Sequence, residues 1–65
     1  MDTVTKDDVV FRAADVFGGL YKGQLWLSRP NRALGGTTPR SLIYTPDGRA
    51  RVMTLLGRIE HGVYS

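Results

Sequence analysis

The amino-acid sequence predicts an all-α fold, a compact unit of about four short helices with no sheet core. Three observations carry this expectation. Apolar residues recur at helical spacing near both ends of the chain, threonines stand where helix caps belong at three places, and glycine or proline closes each segment.

Thr5 is the first cap. Asp7 and Asp8 fall in the first turn behind it, where the helix macrodipole favours acidic groups, and Val9, Val10, Ala13, Val16 and Phe17 follow at helical spacing until Gly18-Gly19 stops the helix. The segment Leu20 to Ser28 carries Leu20, Leu25, Trp26 and Leu27. It reads as a second, shorter helix, weakened by Gly23 and closed ahead of Pro30. Residues 29–37 have the glycines, proline and asparagine of a loop, with Leu34 expected to anchor it in the core. Thr38-Pro39 is a cap followed by proline at the first helical position, where its missing amide proton costs nothing. A short helix from there carries Leu42 and Ile43 inward. Thr45-Pro46 repeats the device and opens the last helix, expected from about Pro46 to His61. Its Val52, Leu55, Leu56 and Ile59, continued by Val63, form one apolar stripe, and Gly62 is placed to end it.

The chain has 65 residues, enough for one domain, which at this size buries only about 60% of the surface its unfolded form exposes. A single domain over residues 1–65 is expected. With no cysteine it has neither disulfides nor thiolate ligands, and one histidine, His61, makes no metal site alone, so neither a metal nor a cofactor is expected. A partner chain is the remaining source of extra burial. No apolar run approaches the roughly 20 residues of a membrane span, and Met1-Asp2-Thr3 does not read as the start of a signal peptide, which makes the cytoplasm the expected compartment.

The net charge of +3 is unevenly placed. Residues 1–19 carry Asp2, Asp7, Asp8 and Asp15 against Lys6 and Arg12, whereas residues 20–58 carry Lys22 and six arginines against Asp47 alone. Such a basic body suits nucleic acid, an acidic protein surface or plain solvent. Seven arginines to two lysines tilt it toward a protein interface, because the guanidinium is weakly hydrated and grips carboxylates as a fork.

Four pieces of the sequence, taken together, resemble the toxin-binding domain of the Xre/MbcA/ParS antitoxins. They are Ala14-Asp15-Val16-Phe17-Gly18; Trp26-Leu27-Ser28-Arg29-Pro30-Asn31 with Ala33-Leu34-Gly35-Gly36; Thr38-Pro39 with Leu42; and Gly48, Val52 and Leu56-Gly57-Arg58-Ile59-Glu60-His61-Gly62-Val63-Tyr64. The resemblance covers roughly residues 13–64. It departs from the family pattern at Gly23, where alanine is usual, and at Arg40, where an apolar residue is usual. Full-length members have an N-terminal DNA-binding region that this chain does not resemble, so DNA binding is not expected of it. The resemblance implies a cognate RES-domain toxin that consumes NAD or transfers ADP-ribose from it, inhibition by covering the toxin's active-site cleft, and a homodimer or a hetero-oligomer with the toxin.

The residues themselves offer two candidate contact features. The tail Val63-Tyr64-Ser65 provides an aromatic ring and a terminal carboxylate, both suited to a pocket built for a dinucleotide, although it could equally fold back over the small core. Asp47, Arg51, Thr54, Arg58 and His61 form a polar ridge opposite the apolar stripe of the last helix, with Asp47 and Arg51 at pairing distance. That ridge is either a solvated face or an interface whose Arg51 and Arg58 fork onto partner carboxylates.

Other residues are expected to be structural: Trp26 as a ring near the core centre, Pro30, Gly35 and Gly36 as setters of the loop's course, Leu34 as anchor and Pro39 as helix starter. Gly35-Gly36-Thr37-Thr38 lacks the strand, lysine and spacing of a phosphate loop. His61 has no cysteine or serine partner pattern, so no enzyme is expected. The rival class is a small basic nucleic-acid-binding regulator, which calls for arginines gathered on one element; here they spread over two helices and a loop.

Overall fold

The computed structural model describes residues 4–62. Four α-helices follow one another: α1 (Lys6–Phe17), α2 (Leu20–Leu27), α3 (Pro39–Leu42) and α4 (Pro46–Glu60), with a 3-10 turn over Arg32–Leu34 between α2 and α3. No strand occurs among the described residues. The chain termini, Met1 to Thr3 and the expected tail Val63-Tyr64-Ser65, lie outside them, so the placement of Val63 on the apolar stripe does too.

The helix starts follow the sequence signals because capping is local chemistry. Thr5 Oγ1 accepts from the Asp8 N–H at 3.1 Å while Asp8 Oδ2 accepts from the Thr5 N–H at 2.9 Å, a reciprocal box that satisfies two amides α1 would otherwise leave open. Thr38 and Thr45 cap α3 and α4 with one bond each, their side-chain oxygens accepting from the N–H groups of Ser41 at 3.2 Å and Gly48 at 3.0 Å, with Pro39 and Pro46 at the first helical positions. α1 ends on Gly18, in the left-handed region, with the N–H groups of Gly18 and Gly19 both donating to the Ala14 carbonyl at 2.9 Å. α2 starts directly afterwards and folds back on α1.

Gly23 is buried at that contact. A Cβ there would stand 2.8 Å from the Ala14 nitrogen and 2.9 Å from the Ala13 carbonyl carbon, so α2 rests on α1 backbone to backbone. The propensity cost of a helical glycine, about 1 kcal/mol, is offset by this approach. Arg40, the other departure from the family pattern, is exposed and donates to Gln24 Oε1 at 2.6 Å; Pro39 and Ile43 supply the burial of that corner.

The core is aliphatic: Val9 and Ala13 of α1, Leu27 of α2, Leu34 of the 3-10 turn, Ile43 after α3, and Val52 and Leu56 of α4. Trp26, expected near the centre, stands half-buried at its rim, its ring 5.4 Å from that of Phe17. The cause is the contact at Gly23. The face of α2 that carries Gly23 also carries Leu27 one turn later, and Leu27 takes the centre. Leu20 and Leu25 are turned outward and are 52% and 37% exposed.

The loop before α3 is held by Asn31. Its side chain accepts from the Ala33 N–H at 2.9 Å, its carbonyl accepts from Leu34 at 3.0 Å and Gly36 at 2.9 Å, and its N–H donates to the Thr37 carbonyl at 2.9 Å. Gly35 and Gly36 have φ of +74° and +88°, a backbone that side-chain-bearing residues resist. Pro30 is exposed beside Asn31, and Leu34 is buried.

α4 returns along α1, and its last turn is tied there by Arg12, whose guanidinium forks onto Glu60: Nη1 donates to Oε2 at 3.3 Å and Nη2 donates to Oε1. The two side chains are 30% and 37% exposed, so the pair is partly screened. Mutating both to alanine singly and together should give a coupling of about 0.5 kcal/mol in thermal unfolding, shrinking as salt is raised. At the start of the helix the constraint is steric. A Cβ on Gly48 would overlap the Leu42 carbonyl oxygen and lie 2.7 Å from its carbon. Gly48→Ala, which ought to favour the helix by propensity, should instead destabilise the chain by about 2 kcal/mol and lower Tm by about 10 °C.

Candidate functional site

The outward face of α4 carries the polar ridge, and the fold gives it a second wall. Arg51, Thr54 and Arg58 line a groove of about 290 Å³ together with Ala50 and Leu55 of the same helix and Ala33 and Leu34 of the 3-10 turn. The helix provides one wall because residues three, four and seven apart share a face. The loop provides the other because Asn31 folds the 3-10 turn and Leu34 pins it to the core.

Arg51 and Arg58 are two helical turns apart, about 10.5 Å along the axis. Both are exposed, and neither forms an ion pair with a described residue. The Asp47–Arg51 pair that the spacing permits is not formed. The groove thus combines an apolar floor with two uncommitted guanidinium groups, suited to an apolar group flanked by carboxylates.

His61 is exposed as the C-cap of α4, with its N–H donating to the Gly57 carbonyl at 3.1 Å. It lies on the ridge but does not line the groove, and neither does Asp47. The structure therefore brings together Arg51, Arg58 and Leu34 from the residues singled out in the sequence and leaves His61 apart. Val63, Tyr64 and Ser65 lie outside the described residues. Sequence reasoning placed Thr54 on the ridge but missed Ala33, Ala50 and Leu55 as lining residues. Periodicity in α4 carries a signal for Ala50 and Leu55; nothing local carries one for Ala33, which arrives from the loop.

The remaining basic residues do not converge. Arg12 is spent on Glu60, Arg40 on Gln24, and Arg49 on the Ile43 carbonyl at 3.0 Å. Arg29 and Arg32 are exposed on the loop. Among the described residues, no cluster of histidine and carboxylates could hold a metal ion, and no helix is long and apolar enough to cross a membrane.

Residues 12–62 match the family model described as the antitoxin Xre/MbcA/ParS C-terminal toxin-binding domain. The chain is 47% identical over 58 residues to a protein named Antitoxin Xre from Photorhabdus laumondii, covering 88% of the chain and 39% of that relative. It is 45% identical over 58 residues to an Antitoxin Xre from Yersinia enterocolitica, with the same coverage of 88% and 39%. A third Antitoxin Xre, from Pseudomonas putida, is 34% identical over 67 residues, covering 92% of the chain and 42% of the relative. The chain thus spans about two fifths of the length of the curated relatives it matches. No solved structure gives a significant match. The match over nearly the whole described chain, together with these identities, places it in a family: the chain belongs to the Xre/MbcA/ParS antitoxins, as a C-terminal toxin-binding domain.

Proposed function

We propose that the chain neutralises a cognate RES-domain toxin in the cytoplasm by binding it through the outer face of α4, covering the toxin's NAD-consuming or ADP-ribosyl-transferring cleft with the last helix and the tail beyond it. It acts as a binding partner and not as a catalyst. The observation that carries this reading is the groove of α4, where Arg51 and Arg58, both exposed and unpaired, flank an apolar floor in a domain of a toxin-binding family. Two arginines that no carboxylate among the described residues claims are poised to fork onto carboxylates of a partner, and desolvated charge-assisted pairs at an interface rank among its strongest contacts. The rigidity of α4 favours this, because a capped helix brings its backbone to the interface already ordered.

In this reading the tail Val63-Tyr64-Ser65 enters the cleft, and His61 lies on the path toward it. The contribution of the tail rests on its sequence: the Tyr64 ring is able to stack in a pocket built for a dinucleotide.

The test is co-purification with a RES-type toxin from the neighbouring reading frame, followed by titration. Arg51→Glu with Arg58→Glu should weaken toxin binding by about 30-fold or more while leaving Tm within about 2 °C, because both residues are exposed. Binding unchanged within about threefold would return the ridge to a solvated face. Removal of residues 63–65 separates the two contributions. Retained binding with lost inhibition of NAD consumption is expected if the tail enters the cleft, and unchanged inhibition would confine the contact to the helix face.

A further inference from the structure

A second patch is left unexplained by toxin binding. Phe11 of α1 is 61% exposed, although the same helix buries Val9 and Ala13 completely. Asp7 precedes it by one turn and Asp15 follows it by one turn, both exposed. The other charged groups of α1 are engaged: Lys6 lies over the Tyr44 ring at 4.6 Å, Asp8 caps with Thr5, and Arg12 forks onto Glu60. Asp7 and Asp15 form no ion pair with any described residue. The outer face of α1 is thus an aromatic ring between two free carboxylates.

That arrangement is the complement of the α4 groove. Asp7 and Asp15 are eight residues apart, about 12 Å along the helix, and Arg51 and Arg58 seven, about 10.5 Å; the long arginine side chains absorb the difference. A ridge of i, i+4 side chains is also the shape that enters a groove between two packed elements. We propose that the groove of one copy of this chain takes the Asp7–Phe11–Asp15 ridge of a second copy, with Phe11 against Ala33, Leu34 and Leu55 and its flanking carboxylates on Arg51 and Arg58. The two patches are different surfaces of one molecule, so a single such contact is head-to-tail and leaves one groove and one ridge open for further copies. Self-association of this kind covers the groove in the free chain and competes with any other occupant.

The contact is small, so association is expected at about 0.1–1 mM chain. Sedimentation velocity from ~10 μM to ~2 mM should show a weight-average coefficient that climbs with concentration and falls back when salt is raised. Asp7→Lys with Asp15→Lys should abolish the climb, as should Arg51→Glu with Arg58→Glu, and an equimolar mixture of these two variants should restore it, since each then offers the other a complementary patch. Phe11→Ser, which alters no buried residue, should weaken association about tenfold, and amide shifts in the wild type should move with concentration at residues 7–15 and 33–58. A wild type that stays monomeric to 2 mM, either charge-swapped variant associating alone like the wild type, or a mixture of folded variants that fails to associate would overturn the proposal. Because no toxin is present, its failure leaves the toxin reading intact.

Discussion

At Gly48 the first turn of α4 lies directly against the Leu42 carbonyl, closer than any side chain would allow. That approach makes the corner between α3 and α4 sharp. It sets where α4 begins, and therefore whether Val52 and Leu56 arrive over Val9, Ala13 and Leu27 and whether Glu60 ends within reach of Arg12. A similar backbone approach at Gly23 seats α2 on α1. A chain of 65 residues cannot fill a wide space between helices, and bringing backbones together lets small aliphatic side chains close the core.

The same economy leaves the larger aromatic groups outside. Trp26 and Phe17 cover the rim, while Phe11, Tyr21 and Tyr44 stand mostly in solvent. It also leaves the outer face of α4 free. With its inner stripe spent on the core and its last turn tied to α1, the helix is a rigid rod whose other side carries Arg51, Thr54 and Arg58 toward the Asn31 loop. Rigid presentation of unpaired arginines beside an apolar floor is how a small domain gains binding energy without a large interface.

Much of this was legible in the sequence, and the reason is locality. Thr5, Thr38 and Thr45 mark helix starts within one turn of themselves, Gly18 marks a helix end, and the spacing of Val52, Leu55, Leu56 and Ile59 fixes which face of α4 turns inward. By the same token the ridge with Arg51 and Arg58 could be placed on the opposite face. What was not legible depends on how distant segments meet. Arg12 and Glu60 lie 48 residues apart, and Ala33 reaches the groove only through the fold of its loop. Gly23 reads as a weak point in a helix until the backbone of α1 is seen against it, and Trp26 reads as the core's centre until that contact turns α2 and gives the place to Leu27. The toxin itself leaves no trace in these residues beyond the charge and shape of the surface that would receive it.

Hydrogen–deuterium exchange of the chain with and without a RES-type toxin reads the contact surface with no substitution and is the decisive measurement. Binding through the outer face of α4 predicts slowed exchange over residues 31–36 and 50–61, with the amides of α2 unchanged. Protection centred on α2, with the Asn31 loop and α4 unaffected, would contradict it.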